Sequence, residues 1–224
     1  MLKRILPCAC IILGCILIAT ALYQRFETIY YQNVLIKQYE KSIEQTDETN
    51  EKSPDSSLGT SCSESEAKSA AAIPQIIDNP DENSEKITQK KIPEIIGILK
   101  IPKINLKVAV GEGSDNASMR YTVGHFTNTA KPGKLGNFAV IGHRSYRYGQ
   151  FFNRLDELKI GDLVEVKSGT HTYVYKVKES FIVKPEDTWI LNNTDNATIT
   201  LVTCTPIRIA THRLVIKGEM EKNK

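Results

Sequence analysis

The chain has 224 residues and carries 29 Lys and Arg against 26 Asp and Glu, a formal net charge of +3. This length allows one domain with accessory segments. The weak charge, with neither a basic patch interleaved with aromatic residues nor zinc-finger spacing, excludes the usual nucleic-acid-binding classes. The sequence also lacks H-E-x-x-H, C-x-x-C and G-x-S-x-G. It therefore offers no zinc-peptidase or serine-hydrolase site, and it predicts no metal site and no cofactor.

The N-terminal segment predicts export. Lys3 and Arg4 precede 19 uncharged, mostly apolar residues, from Ile5 to Tyr23. This length can cross a bilayer as a helix, and the preceding charge favours a cytoplasmic N-terminus. Small residues at 19–21 resemble a signal-peptidase site and Cys15 resembles a lipoprotein processing site, so cleavage and lipidation remain alternatives to an anchor. All three predict that the rest of the chain lies outside the cell. The anchor, which is the main prediction, crosses the membrane once.

Composition divides the chain into four parts. Residues 1–24 are the predicted membrane anchor, and 25–43 carry apolar residues at roughly helical spacing, which predicts a stalk. Residues 44–91 are rich in Ser, Glu, Asp, Thr and Lys, so they cannot offset their ordering entropy and are predicted to be a disordered linker. Residues 92–220 form the predicted folded domain.

Short apolar runs of strand type recur through residues 92–220. They are IIGILKI, LKVAV, FAVIGH, DLVEVK, TYVYKVKESFIV, TITLVTC and RLVIKG, and KSGTH predicts a tight hairpin turn between two of them. Short helices are predicted near 114–121 and 148–158. Seven or eight short strands separated by turns predict a mainly β fold, a closed or nearly closed barrel. A β-sandwich is the alternative.

Cys204 is the one cysteine within the predicted domain, so no internal disulfide framework is expected. A lone thiol is either a small buried hydrophobe or a nucleophile. Strand alternation places Leu201 and Thr203 on one face and Val202 and Cys204 on the other. The same alternation sets Arg213 opposite the apolar face of the last strand. If the apolar faces fill the barrel, Cys204 and Arg213 point outward, which favours chemistry over packing.

A nucleophilic thiol needs a histidine or positive charge nearby. His171 lies in the hairpin turn and His212 in a loop, and both are predicted to be solvated. His143 ends a strongly apolar strand, where a sheet presents side chains to a cleft. His125 precedes a loop rich in Pro and Gly and is expected to form a wall of the same cleft. His143 is therefore the first candidate partner of Cys204.

Three motifs resemble the sortase family. TLVTCTP matches the sortase signature T-L-x-T-C, while AVIGHRS and THRLVIKGE supply histidine and arginine in the order His, Cys, Arg. The resemblance covers about residues 95–219. It implies an eight-stranded sortase β-barrel, preceded here by the predicted N-terminal transmembrane helix. It also implies a membrane-anchored transpeptidase on a Gram-positive cell surface.

The resemblance also implies roles for individual residues. Cys204 would attack the Thr–Gly carbonyl of an LPxTG-type sorting signal and form a thioacyl-enzyme. His143 would protonate the departing amine and then act as base for the incoming one. Arg213 would donate to the developing oxyanion or to the substrate backbone. Substrate contacts are expected at His125, Thr203 and Val202.

The resemblance further implies the partners. These are surface proteins with a C-terminal sorting signal and an amine acceptor, either from a peptidoglycan precursor or a pilin lysine. The TCTP continuation and the GNFAVIGHR pattern look most like class D. Pilus-polymerising class C is the alternative, although its usual Asp-Pro-aromatic lid motif finds only DNPDEN here. A non-catalytic surface β-domain is the alternative from another class.

Two other arginines compete with Arg213. Arg144 follows His143 directly, so strand alternation aims it away from where His143 points. Arg208 lies within the TPIRIAT loop, where nothing in the sequence fixes its guanidinium. Arg213 is therefore expected to matter most for turnover.

Overall fold

A computed structural model describes residues 2–50, 93–115, 118–144 and 151–221, and the side chains of 1–12, 24–25 and 46–50 lie outside that description. One long helix, α1, spans Leu2–Asn50. Eight strands follow: β1 Ile95–Ile101, β2 Leu106–Glu112, β3 Val123–His125, β4 Gly136–Ile141, β5 Leu163–Ser168, β6 His171–Val183, β7 Ala197–Thr205 and β8 His212–Met220.

The strands close into a barrel in the order β1-β2-β3-β4-β7-β8-β6-β5. This confirms the predicted eight-stranded barrel over the sandwich. The KSGTH turn is also confirmed, since Ser168 pairs with His171 across it. β3 has no counterpart among the predicted strands because it is only three residues long and contains a glycine. Within the described residues, the predicted short helices shrink to 3-10 turns at Ser118–Arg120 and Leu155–Glu157.

The barrel interior follows the predicted alternation. Ile199 and Leu201 of β7 pack there with Leu214 of β8 and Phe138 of β4. Val202 instead belongs to a separate cluster on the outer face of the barrel. Cys204 and Arg213 continue the outward faces of β7 and β8, as the sequence predicts.

The second half of α1 packs against the barrel. Leu35 and Ile36 are buried against Ile98 of β1 and Ala109 of β2. Ile98 and Ala109 are register partners on the outer face of the β1–β2 pair. The Tyr39 hydroxyl donates to the Ile96 carbonyl at 3.1 Å. The predicted stalk helix is therefore also a packing element, which periodicity alone does not reveal.

α1 extends beyond the predicted stalk. It continues to Asn50, seven residues into the stretch predicted as linker. Glu and Gln in that stretch are good helix formers, so the helix extends where apolar residues stop. The rest of the predicted linker, residues 51–91, lies outside the described residues.

Within the described part of the chain, none of the helices combines the length and apolar character that crossing a membrane requires. The predicted span over residues 5–23 stays a prediction.

The contact of α1 with the barrel predicts a measurable stabilisation. Leu35→Asp should lower the free energy of unfolding by about 1.5–3 kcal/mol, because the carboxylate cannot enter the apolar contact. The barrel should still fold, since its main core contains no residue of α1. Urea unfolding of the full chain measures the change. Lys37→Ala, two residues away on the exposed side, is the matched control. Equal stabilities of the two variants would contradict the packing role.

Candidate active site

The end of β4 is bonded to β7 just ahead of Cys204. The two strands pair in parallel, and the register ends with Ile141 opposite Val202. Beyond that pair, the Gly142 amide donates to the Val202 carbonyl at 3.0 Å. The Thr203 hydroxyl in turn donates to the Gly142 carbonyl at 2.8 Å. The backbone that leads into His143 is therefore attached to the backbone that leads into Cys204.

A second attachment lies on the far side of both residues. Arg144 Nη1 donates to Thr205 Oγ1 at 2.8 Å. The neighbours of His143 thus bond to the neighbours of Cys204 on either side, which places the His143 backbone alongside that of Cys204. The His143 ring is exposed and meets the Phe151 ring edge to face, with the centroids 6.2 Å apart. The structure therefore brings together the first two candidates of the sequence.

Arg213 is the third member of this group. It is the register partner of Cys204 across the antiparallel β7–β8 pair, a position that holds Cβ atoms about 4.5–5.5 Å apart. Its Nη1 donates to the carbonyl oxygens of Ala210 at 3.1 Å and His212 at 3.0 Å. The Cys204 thiol is free and partly exposed. The structure therefore confirms that Cys204 and Arg213 are neighbours across the strand pair. The role of the guanidinium stays a prediction.

An apolar surface supports the thiol from below. Val202 packs in the outer cluster with Val183, Ile190 and Val215, and only 2% of its surface is exposed. Thr203 is fully buried, and its hydroxyl is used on Gly142. The expectation that Val202 and Thr203 contact substrate is therefore corrected: both support the strand from within the protein.

His125 does not line the cleft. Its side chain is 0% exposed, so no ring surface is left for a substrate. Nδ1 lies 3.0 Å from Glu112 Oε1, and Nε2 lies 3.1 Å from both the Ala130 carbonyl oxygen and Thr129 Oγ1. The expected wall residue is thus a buried brace that joins β2, β3 and the following loop.

His171 and His212 are exposed, as expected. In the described ranges, no group of three or more His, Cys, Asp or Glu residues is arranged to hold a metal ion. Cys62, a cysteine in the stretch predicted as linker, lies outside the described residues.

A partly exposed cysteine with a histidine on the adjoining backbone segment and an arginine across the strand pair is a combination suited to acyl transfer through a covalent thioester. The fold and site therefore define a cysteine acyltransferase on a β-barrel. The Sortase domain family matches residues 99–221, more than half of the chain, and the chain belongs to this family. Sortases are cysteine transpeptidases that act on surface proteins carrying sorting signals and on amine acceptors.

Individual relatives come from more than one sortase class. The chain is 29% identical to the sortase D of Bacillus subtilis over 163 residues, covering 69% of this chain and 80% of the relative. A solved sortase D5 transpeptidase of Clostridium perfringens is 33% identical with a TM-score of 0.54, over 64% of this chain and 91% of that one. Sortase C1 of Streptococcus agalactiae is also 33% identical, with a TM-score of 0.55 over 58% of this chain and 69% of that one.

The brace around His125 predicts a pH-dependent contribution to stability. Burial alone would raise the pKa of Glu112, but hydrogen bonds from Lys131 and His125 outweigh it and leave the pKa below its usual value of 4.5. The carboxylate therefore stabilises the fold above pH 4.5, and this contribution is lost as the pH falls through the lower folded-state pKa.

Glu112→Gln should cost about 1–3 kcal/mol of unfolding free energy at pH 7, because it removes charge-assisted hydrogen bonds. The cost should shrink as the pH is lowered below 4.5. Urea unfolding across this range measures it. Glu165→Gln, which breaks an exposed pair with Lys100, is the control and should cost under about 1 kcal/mol. A cost for Glu112→Gln that does not change with pH would contradict the assignment.

Proposed function

We propose that this chain is a class D-type sortase that cleaves an LPxTG-type signal between Thr and Gly and transfers the protein to an amine acceptor of the cell wall. The observation that carries the proposal is the double attachment of the His143 segment to β7 around Cys204. This attachment supports a histidine on one side of the partly exposed thiol, and the β7–β8 register supports Arg213 on the other.

In the first half-reaction, the Cys204 thiol passes its proton to His143, and the sulfur attacks the carbonyl carbon of the threonine. The C–S bond forms, the Thr–Gly C–N bond breaks, and His143 gives its proton to the departing glycine amine. The Arg213 donors stabilise the negative charge that develops on the carbonyl oxygen. The product is a thioacyl-enzyme.

In the second half-reaction, the nitrogen of the acceptor amine attacks the thioester carbonyl. The C–S bond breaks, a peptide bond forms, and His143 takes the proton from the incoming amine. The same imidazole thus acts as acid and then as base, as microscopic reversibility requires.

The acceptor separates the two candidate classes. The similarity to sortase C1 of Streptococcus agalactiae supports class C-type chemistry, with a pilin lysine as acceptor. The sequence motif closest to a class C lid, DNPDEN at 78–83, lies outside the described residues. The similarity to sortase D relatives supports the cell-wall acceptor, which we take as the main proposal.

The proposal includes a position at the membrane of a Gram-positive cell, with the barrel outside. It is supported by the 19-residue uncharged stretch and the two basic residues before it. Fractionation of expressing cells, with protease added to intact protoplasts, tests this position. Recovery of the full chain in the soluble fraction would contradict it.

Transpeptidation is tested by incubating the full chain with a panel of sorting peptides and candidate amines, read by mass spectrometry. We expect a thioacyl adduct on Cys204 and resolution of that adduct by an amine. Cys204→Ala should give no adduct. Ile207→Ala, in the exposed loop nearby, is the matched control and should still form the adduct. A thiol that is inert to every peptide and to active-site thiol probes would favour a non-catalytic surface domain.

The position of Arg213 predicts its share of turnover. Arg213→Ala should lower turnover about 10²–10³-fold, the usual cost of losing one pre-positioned oxyanion donor. Arg213→Lys should recover little, because a point charge cannot replace the planar fork. Arg208→Ala, in the exposed loop, should stay within about tenfold. A larger loss at Arg208 than at Arg213 on the same peptide would overturn the assignment.

A further inference from the structure

Arg144 is a buried cation directly after the candidate histidine. Only 7% of its side chain is exposed, and its guanidinium bridges two separate segments. Nη1 donates to Thr205 Oγ1 at 2.8 Å, and Nη2 lies 2.9 Å from Asp156 Oδ2. Thr205 is the residue after Cys204, and Asp156 lies in the 3-10 helix Leu155–Glu157. One side chain therefore joins three parts of the site region.

The burial of Arg144 points to a role beyond surface solvation. A charged group is seldom buried unless it is paired, and each buried polar atom without a partner is costly. Among the described residues, Arg144 Nε has no hydrogen-bond partner. The side chain therefore leaves one of its own donors unused while it makes the bridge between Thr205 and Asp156. The bonds to Thr205 and Asp156 are therefore the best explanation for the burial of the Arg144 side chain.

The bridge meets β7 from behind the thiol. Thr205 shares the inward face of the strand with Thr203 and is buried, whereas Cys204 lies on the outward face. Arg144 can therefore hold the strand without occupying the space that a substrate needs next to the sulfur. The sequence analysis expected Arg144 to point away from His143. Its guanidinium reaches Thr205, at the back of the strand that carries Cys204.

The segment needs such a tether because residues 142–144 form no regular secondary structure. Upstream, Gly142 is bonded to Val202 and Thr203, and the His143 carbonyl accepts from the Phe152 amide at 3.2 Å. The Arg144 bridge adds a tether after the histidine. With it, the exposed imidazole is carried by a backbone that is fixed on both sides.

We propose that Arg144 is a positioning residue that holds the His143 backbone beside Cys204 through its bridge to Thr205 and Asp156. The proposal rests on the acid–base role of His143 proposed above. Arg144 itself touches neither the substrate nor the reacting atoms. The sequence analysis ranked Arg144 below Arg213 for turnover. Because of the bridge, we expect loss of the Arg144 guanidinium to slow acylation.

The first test compares two arginines that brace the same 3-10 helix. Arg154 bonds to Glu157 and to the Ile104 carbonyl, with 20% of its side chain exposed, and these bonds do not reach residues 142–144 or β7. Arg144→Met should slow single-turnover acylation of Cys204 about 10²-fold, because a misplacement near 1 Å has that effect. The peptide KM should change less than threefold. Arg154→Met should lower the melting temperature but leave the acylation rate of the folded protein near that of wild type.

The second test changes the other end of the bridge. Thr205→Val removes the acceptor of Nη1 and should slow acylation about tenfold, whereas Thr205→Ser keeps that acceptor and should recover most of the loss. If Arg144→Met does not fold, this milder pair carries the comparison. The double variant Arg144→Met with Thr205→Val should be acylated about as slowly as Arg144→Met alone. The two losses should not add, because both substitutions break the same bond between Arg144 and Thr205.

A spectroscopic readout keeps the inference separate from the proposed reaction. The His143 ring faces the edge of Phe151, so its Cε1–H resonance should carry a ring-current shift in the wild-type chain. Arg144→Met should move that resonance toward that of the exposed His212, while Arg154→Met should not. Equal acylation by wild type and Arg144→Met, or an unmoved His143 resonance, would overturn the positioning role. A wild-type chain that no peptide acylates would overturn the proposed function alone, because the resonance still reports the position of His143.

Discussion

The parallel pairing of β4 with β7 is the constraint on which the site depends. Six register pairs, from Gly136 with Ala197 to Ile141 with Val202, align the two strands. Gly142 extends the alignment by bonding to Val202 and Thr203. A slip of one residue would turn the outward face of β7 inward and send Cys204 into the core. The interior packing of Ile199 and Leu201 opposes such a slip, so the core itself fixes where the thiol points.

Much of this arrangement could be predicted from the sequence. Seven of the eight strands have long apolar runs with clear turns between them, and alternation correctly gave the outward faces of Cys204 and Arg213. These features depend on local pattern, which a sequence carries directly. His143 could be singled out because it ends one such run. The order of the motifs then supplied the family.

Other features depend on contacts that no local pattern encodes. His125 looked like a cleft residue because its loop is rich in Pro and Gly, but its partners are Glu112, thirteen residues upstream, and the loop that follows it. For Arg144, strand alternation predicted only the direction of the side chain. It could not show that the guanidinium bonds to Thr205 and Asp156. The packing of Leu35 on β1 joins residues more than sixty positions apart along the chain. In each case the missing information is tertiary.

The strand order also has a consequence for the newly made protein. β7 pairs with β8 from Thr198 to Thr205, and β8 closes the barrel against β6. A ribosome must therefore add the residues through Met220 before Cys204 gains its opposite strand and its arginine. The parallel β4–β7 pair instead joins residues 61 positions apart, such as Ile141 and Val202. Contacts so far apart in sequence form late, because loop-closure entropy must be overcome first. The nascent chain thus emerges with its candidate site unassembled, and the thiol gains the His143 segment beside it only when β7 pairs with β4.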